Sequence, residues 1–385
     1  MLESRLRLGF PATSRKTTAQ GERNRTFELL VQPHVTPAEG LAIDDVWRQA
    51  TTASHSPKHP LLRLYEFSGD VFSLGRFHVV PAMLPATDGL QIHRRHSGGR
   101  CLPCGEGFVG LSIVLPHRSS LVADEPLALT PPQVLNRCVR GILSGLKGAG
   151  IPAFYPGRDW VTVDRRVIAM ISFDVSVDGS TLFEAVIACS REFTSMSTIV
   201  SSSLPQLAPK LPRLGAHEVT SLKRELGVTP NLGEISALLV RGYAAQYGIS
   251  FVESKAPPEE LRRDIIQRAT GSFGFDKWIV SRRIHPTLDH HRTTEALLGT
   301  FEAYYSVDPS DTLHRVLLAG DIIANPSAIA ELERALVGCP VRQSAVDAVV
   351  SRVFARPENF VLGLPSHSSI ASTICAGLSP EGVAR

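Results

Sequence analysis

A basic, glycine-containing segment between two short apolar runs is the feature that most constrains the fold of this chain. The segment is Arg94-Arg95-His96-Ser97-Gly98-Gly99-Arg100, and it lies between the runs 89–93 and 108–115. The second run is largely apolar and predicts a buried strand. Glycines allow backbone N–H groups to approach an anion closely, and guanidinium groups supply charge and paired donors. The pattern is typical of either an anion-binding loop or an ordinary solvated hairpin.

The composition indicates an ordinary globular protein of about two domains. The 385 residues are 43% apolar and 20% charged, with a net charge of only +3, which argues against a general nucleic-acid surface. No segment reaches the roughly 20 uninterrupted apolar residues of a membrane helix, and the basic N-terminal stretch lacks the apolar core of a secretory signal. Six cysteines without regular spacing are typical of a reducing compartment. We therefore expect a cytoplasmic protein with no membrane or nucleic-acid partner.

Helix and strand signals occur in an order that predicts an α+β protein. Thr36-Pro37-Ala38-Glu39 and Thr130-Pro131-Pro132-Gln133 are capping boxes that begin helices, and strand-like runs follow each of them. From residue 217 the pattern becomes helical, with one helix predicted to begin at Thr229-Pro230. The predicted organisation is a disordered tail (1–26), a large domain (27–255), a helical and irregular linker (256–293) and a small α+β domain (294–378).

Several motifs occur in the order found in one known family. The run from Arg94 to Gly99 resembles the lipoate-binding loop Arg-Arg-x-Ser/Thr-Gly-Gly-Gly of the lipoate–protein ligase A family. Upstream, Leu61–Glu66 and Ser73–Phe77 are similar to a second motif of that family, and segments within 299–338 are similar to its C-terminal accessory domain. The resemblance covers roughly residues 27 to 376. It implies a biotin/lipoate ligase-like domain with a mixed, largely antiparallel sheet and flanking helices, followed by the small accessory domain.

The resemblance also implies a two-step reaction on a medium-chain acid. Lipoate or octanoate would be joined to AMP from ATP with the help of Mg²⁺, and the acyl group would then pass to one Lys of a lipoyl-acceptor domain. Such acceptor domains belong to proteins of the 2-oxoacid dehydrogenase or glycine-cleavage type. The resemblance assigns one set of residues to binding lipoate and the acyl-adenylate: Gly75, Arg76, Arg94, Arg95, Ser97, Gly98, Gly99 and Arg158.

The sequence departs from the family pattern where the family carries its catalytic Lys. The family has Gly-Arg-Asn-Asp followed by Lys-Ile-Ser/Ala-Gly, whereas this chain reads Gly-Arg-Asp-Trp and then Val-Ile-Ala-Met. The ungapped match places Val167 on the Lys, and no Lys occurs between positions 147 and 210. We predict that Asp159 assists at the metal or phosphate and that Arg158 or Arg166 partly replaces the missing cation.

Cys101 and Cys104, directly after the glycines, leave three interpretations open. They are two small half-buried side chains, an acyl-accepting nucleophile stabilised as a thiolate by neighbouring Arg residues, or a metal or redox pair. The nucleophile interpretation follows from the resemblance, because related acyltransferases of this fold use a Cys thioester instead of ATP. We interpret the cluster His285, His290 and His291 as part of an exposed linker, so no metal site is predicted.

Three functions follow from the sequence. The first hypothesis is an ATP-dependent lipoate–protein ligase in which the segment 94–99 binds the acyl-adenylate. The second is an ATP-independent octanoyl or lipoyl transferase with Cys101 or Cys104 as the nucleophile. The third is a non-catalytic module that binds lipoyl groups or lipoylated domains.

Overall fold

The computed structural model describes residues 25–52, 59–81, 89–118, 121, 129–195, 197–274 and 277–376. The predicted tail, 1–26, lies outside these residues except for Arg25 and Thr26, which begin the first strand instead of continuing a tail. Among the described helices, none is both long and apolar enough to cross a bilayer.

Strands and helices occur largely in separate runs along the described chain, as in an α+β protein. The helices are α1 (Pro37–Thr52), α2 (Pro131–Gly148), α3 (Ser197–Ser203), α4 (Leu222–Leu226), α5 (Leu232–Tyr247), α6 (Glu259–Thr270), α7 (Pro326–Leu336), α8 (Gln343–Phe354) and α9 (Ser368–Cys375). The strands are β1 (Arg25–Val35), β2 (Leu61–Phe67), β3 (Asp70–Leu74), β4 (Leu90–Arg94), β5 (Leu102–Pro103), β6 (Phe108–Leu115), β7 (Ala153–Phe154), β8 (Trp160–Val163), β9 (Arg166–Val175), β10 (Thr181–Ala188), β11 (Ile249–Ser254), β12 (His290–Ala296), β13 (Gly299–Val307), β14 (Leu313–Gly320), β15 (Ile323–Ala324) and β16 (Val361–Leu362).

A mixed, largely antiparallel sheet forms the centre of the large domain, as predicted. Its strand order is β11-β1-β2-β6-β10-β9-β8-β7. The pairs β11–β1 and β1–β2 are parallel, and every other neighbouring pair is antiparallel. A second, three-stranded sheet of order β4-β3-β5 lies beside it. The segment 94–100, hereafter the glycine loop, connects β4 to β5 of this small sheet.

One face of the large sheet is covered by α2 and α5. Helix α2 buries an apolar stripe at helical spacing, which includes Val134, Val139 and Ile142, against the sheet. The two helices approach so closely that a Cβ on Gly242 would lie 2.2 Å from the carbonyl oxygen of Gly141. Small residues at this crossing therefore set the distance between the helices.

The opposite face carries polar side chains as well as a core. Helix α1 is held on it by Asp44, which pairs with Arg63 of β2 at 2.8 Å, and both side chains are buried. Burial raises the pKa of Asp44, while Arg63 and Ser112 oppose that rise. Because side chains alternate across a strand, Ser172 and Glu184 also lie on this face, beneath the glycine loop.

A C-terminal unit, residues 290–376 and hereafter the C-terminal domain, packs against the glycine loop. Its antiparallel sheet β12-β13-β14 is covered by α7, α8 and α9. Phe77 of the large domain lies within the apolar core of this unit, together with Phe301 and Ile322. Lys210 and Glu302 form an ion pair at 2.7 Å between the two. The two domains therefore share both apolar and charged contacts.

Candidate functional site

The first arginine of the glycine loop is a structural residue. The guanidinium of Arg94 is buried and donates to the carbonyl oxygens of Gly75, Arg76, His78 and Ile279 at 2.6 to 3.3 Å. These acceptors belong to two separate segments of the chain, so Arg94 joins the loop to both. Its donors are thereby occupied, and Arg94 does not face a ligand site.

The second arginine folds the loop on itself. Arg95 donates to the carbonyl oxygens of Gly98 and Arg100, both at 2.8 Å, and to the hydroxyl of Ser73 at 3.1 Å. Arg95 also lines a cavity of about 10 Å³, hereafter the loop cavity. A volume of this size holds about one water molecule.

Two buried carboxylates balance the charges of the two arginines that line the loop cavity. Arg100 pairs with Asp159 at 2.7 Å and lies over the ring of Trp160, 4.8 Å from its centroid. Burial raises the pKa of Asp159, and Arg100 opposes that rise. The second carboxylate is Glu184 of β10.

Glu184 is the site residue that sequence reasoning missed. Its carboxylate accepts the backbone N–H of Ser97 at 2.9 Å. Burial raises its pKa, while Arg95 opposes the rise. The available signal was a single charged residue within the otherwise buried strand Thr181–Ala188. Buried carboxylates need a donor or a cation, and here Ser97 and Arg95 supply them.

The two glycines contact the C-terminal domain. The N–H of Gly99 donates to the carbonyl oxygen of Ile322 at 2.7 Å, and a Cβ on Gly98 would lie 2.1 Å from that same oxygen. Gly75 approaches the loop equally closely, since a Cβ added to Gly75 would lie 2.1 Å from the carbonyl oxygen of Gly99. Gly99 has φ of +85°, which favours glycine. The structure thus shows a backbone-to-backbone contact at the position predicted to receive an anion.

The predicted substitutes for the missing Lys lie apart from the loop cavity. Arg158 donates to the carbonyl oxygen of Leu297 on the C-terminal domain, and Arg166 pairs with Glu225 at 3.0 Å. Val167 is buried in an apolar cluster with Met170. Of the predicted catalytic residues, the structure brings only Asp159 to the cavity wall.

The two cysteines point into separate apolar clusters. Cys104 packs with Phe108, and burial raises the pKa of its thiol to about 12. Cys101 is fully buried with Phe72. A buried thiol with a raised pKa is a poor nucleophile, so the predicted role of Cys104 gains no support. In the described part of the chain, no group of three or more His, Cys, Asp or Glu side chains could hold a metal ion.

Next to the cysteines, a buried histidine joins the two domains. Nε2 of His78 lies 3.1 Å from the carbonyl oxygen of Gly99 and 3.2 Å from Oδ1 of Asp321 in the C-terminal domain. Burial lowers the pKa of His78, but Cys101 and Asp321 outweigh it and raise the pKa to about 9. No sequence motif could have shown this pair, because its members are far apart in the chain.

A much larger cavity lies on the other side of the glycine loop. It has a volume of about 440 Å³ and is bounded by α1, the β9–β10 turn, the side chains of Ser272, Phe273 and Trp278, and the start of α7. We call it the interdomain cavity. His96 and Arg76 line it, so the structure places Arg76 away from the loop cavity that the resemblance assigned to it.

Comparison with known families supports the resemblance seen in the sequence. A profile described as "Lipoyl protein ligase A/B catalytic domain" matches residues 36–244, which is more than half of the chain. A search of curated proteins finds no match.

Solved structures show the same fold at low sequence identity. The chain is similar to P. falciparum LipL1 in complex with lipoate, with a TM-score of 0.64 and 13% identity over 91% of this chain and 99% of that chain. It is also similar to a bipartite lipoate protein ligase of Thermoplasma acidophilum described with its E2 lipoyl domain. The TM-score is 0.54, with 15% identity over 68% of this chain and 99% of that chain. A lipoate-protein ligase A bound with ATP gives a TM-score of 0.51 and 16% identity over 67% of this chain and 98% of that chain.

Proposed function

Because the chain belongs to the lipoyl protein ligase A/B catalytic domain family, we propose that it recognises lipoyl groups without forming an acyl-adenylate. One observation carries this proposal. The loop cavity of about 10 Å³ contains two buried carboxylates, and its two guanidiniums are already paired or bonded to backbone. A triphosphate needs unpaired cations, and both guanidiniums among the described residues that line this cavity already have partners.

ATP and Mg²⁺ do not fit the residues at the loop cavity. Asp159 and Glu184 would repel phosphate oxygens unless protonated, and Val167 supplies no charge where the family carries its Lys. Magnesium is usually held by carboxylates together with substrate phosphates, and Asp159 already pairs with Arg100. The charge pattern therefore favours recognition over activation.

ATP-dependent ligation is the second candidate. In it, lipoate or octanoate would be attached to a Lys of an acceptor domain from a 2-oxoacid dehydrogenase or glycine-cleavage type protein. The match to LipL1 over 91% of this chain, covering both domains, favours it. Transfer through a Cys thioester lacks such support, since Cys101 and Cys104 are buried away from both cavities.

One assay series separates the three functions. The full chain is incubated with lipoate, an apo acceptor domain and ATP–Mg²⁺, and then with an octanoyl-carrier donor in the absence of ATP. Acceptor mass and pyrophosphate release are measured, and binding of the lipoylated and apo acceptor domains is compared by calorimetry. We expect no mass gain, no pyrophosphate and tighter binding of the lipoylated domain.

Each of the other possible results contradicts this proposal, and two of them establish a different function. A mass gain that requires ATP establishes the ligase and refutes our proposal. A gain without ATP that is lost in Cys101→Ser or Cys104→Ser establishes acyl transfer. Equal binding of lipoylated and apo domains, or no binding of either, also refutes lipoyl recognition.

A further inference from the structure

A buried histidine at the domain contact joins groups from separate segments of the chain. Nε2 of His78 faces two acceptors, the carbonyl oxygen of Gly99 at 3.1 Å and Oδ1 of Asp321 at 3.2 Å, so Nε2 carries a hydrogen. The other carboxylate oxygen of Asp321 accepts the N–H of Thr300 at 2.7 Å. The carboxylate is thereby fixed on the C-terminal domain, while the imidazole belongs to the large domain.

The thiol of Cys101 is the second group that acts on this imidazole. Cys101 directly follows the glycine loop and is fully buried. Nδ1 of His78 is also buried, and among the described residues it has no hydrogen-bond partner. Burial lowers the pKa of His78, whereas the Cys101 sulfur and the Asp321 carboxylate raise it to about 9. A buried cation needs negative charge nearby, and these two groups supply it from the two domains.

The other charged groups near His78 have partners of their own. Burial raises the pKa of Glu302, but Lys210, which pairs with it at 2.7 Å, and to a smaller extent His78 lower it. Arg94 donates to the backbone carbonyl oxygen of His78 at 2.6 Å. Arg100, which acts on the interdomain carboxylate, pairs with a carboxylate of the loop cavity at 2.7 Å. The charge on the imidazole therefore depends mainly on the thiol and the interdomain carboxylate.

We propose that Cys101, His78 and Asp321 form a thiol latch, which holds the C-terminal domain against the glycine loop and is released by oxidation of Cys101. A negatively charged Cys101 sulfur favours the charged imidazole, and the charged imidazole pairs with Asp321 across the domain contact. The same contact places the carbonyl oxygen of Ile322 on the N–H of Gly99, so release of the latch also frees that N–H. This inference goes beyond the proposed function and does not depend on it.

The oxidant belongs to the hydroperoxide class, of which hydrogen peroxide is the smallest member. The Cys101 thiolate sulfur attacks one peroxide oxygen, so that an S–O bond forms while the O–O bond breaks. The departing hydroxide takes the imidazolium proton of His78 and leaves as water. The products are a Cys101 sulfenic acid and a neutral His78, which no longer pairs as a cation with Asp321. Because Cys101 is fully buried, peroxide reaches it during local opening of the domain contact, and oxidation then prevents reclosing.

An NMR titration of isotope-labelled histidine in the full chain tests the link between the thiol and the imidazole. We expect His78 to titrate near its raised pKa of about 9 in wild type. Cys101→Ser should lower this midpoint by roughly one pH unit or more, because a hydroxyl carries no negative charge. Cys138→Ser, which replaces another buried thiol in the core beneath α2, is the matched control and should leave the midpoint unchanged.

Limited proteolysis between the domains tests whether the thiol holds the contact. Cleavage rates are compared with wild type at the same pH. At about pH 8, Cys101→Ser should be cleaved about threefold faster or more, since its imidazole has lost the proton that wild type keeps. At about pH 6 the two rates should be equal, because the imidazole is charged in both proteins. Faster cleavage at both pH values would indicate a general loss of packing and contradict the proposal.

The oxidation step is tested on the wild-type chain and so does not require a variant to fold. The chain is treated with hydrogen peroxide, sulfenic acids are trapped with dimedone, and each cysteine is followed by mass spectrometry. We expect Cys101 to be labelled at least tenfold faster than Cys138. In a parallel sample without dimedone, peroxide should accelerate cleavage between the domains, and dithiothreitol should reverse this effect.

Any one of three further results overturns the proposal. The first is an equal His78 midpoint in wild type and Cys101→Ser, and the second is equal cleavage of these two proteins at about pH 8. The third is labelling of Cys101 no faster than that of Cys138. The proposed function fails separately, through acceptor mass gain or through equal binding of lipoylated and apo domains.

Discussion

Replacing Gly98 with Ala is expected to weaken the contact between the glycine loop and the C-terminal domain. The new Cβ would lie 2.1 Å from the carbonyl oxygen of Ile322, where ordinary contact begins at 3.4 Å. The backbones must therefore separate by roughly 1 Å, which breaks the 2.7 Å bond from the Gly99 N–H to that oxygen. Overpacking costs about 1–3 kcal/mol and the lost hydrogen bond about 0.5–1.5 kcal/mol. We expect a loss of about 2–4 kcal/mol in the free energy of unfolding.

Urea denaturation followed by circular dichroism measures this loss, and limited proteolysis reports whether the domains separate. Gly148→Ala is the matched control, because Gly148 ends α2 with nothing within 4 Å of an added Cβ. We expect the control substitution to leave the free energy of unfolding unchanged or to raise it slightly, since Ala has a higher helix propensity than Gly. If Gly98→Ala unfolds at the same urea concentration as Gly148→Ala, the close contact does not exist and the reasoning is refuted.

Three further predictions concern the domain contact, the missing Lys and the helix crossing. Cys101 and Asp321 raise the pKa of His78 to about 9 from its ordinary 6.5, so the protonated imidazole contributes stability that is complete below about pH 6.5 and lost as the pH rises through 9. Denaturation from about pH 6 to about pH 10 should show this loss in wild type and not in His78→Gln; equal pH profiles would contradict it. In Val167→Lys the new ammonium would lie in an apolar cluster, so we expect a markedly lower melting temperature. We also expect this variant to release no pyrophosphate from lipoate and ATP. Adenylation by the variant would instead indicate that the native protein is a weakened ligase. Gly242→Ala should destabilise by about 1–3 kcal/mol in urea titration through its clash with Gly141, and an unchanged midpoint would exclude that clash.

Local signals in the sequence predicted much of the fold. The predicted capping box Thr130–Gln133 begins α2, with the Thr130 N–H donating to the Gln133 side-chain oxygen at 2.8 Å. The helix predicted from Thr229-Pro230 begins instead at Leu232, because the capping box Asn231–Glu234 satisfies the first N–H groups two residues later. Helix ends depend on hydrogen bonds between near neighbours, so a sequence shows them to within a few residues.

The candidate site was less predictable because its partners come from distant segments. Arg94 is bonded to Ile279, 185 positions away, and Arg100 to Asp159, 59 positions away. A sequence shows that a guanidinium is present but not whether its donors are already satisfied. Asp159 could be placed near the loop from the motif order, whereas the side-chain directions of Arg158 and Arg166 depend on tertiary contacts that no motif specifies.

The paired glycines show why one sequence pattern can serve two physical purposes. A backbone without Cβ atoms permits close approach, and the approaching group can be a phosphate or another backbone. Here the approaching group is the carbonyl of Ile322, an acceptor that takes the Gly99 N–H that an anion would otherwise use. An anion could reach that N–H only if the C-terminal domain moved away from the loop. Binding of an anion at the loop and contact between the domains are therefore mutually exclusive at this N–H.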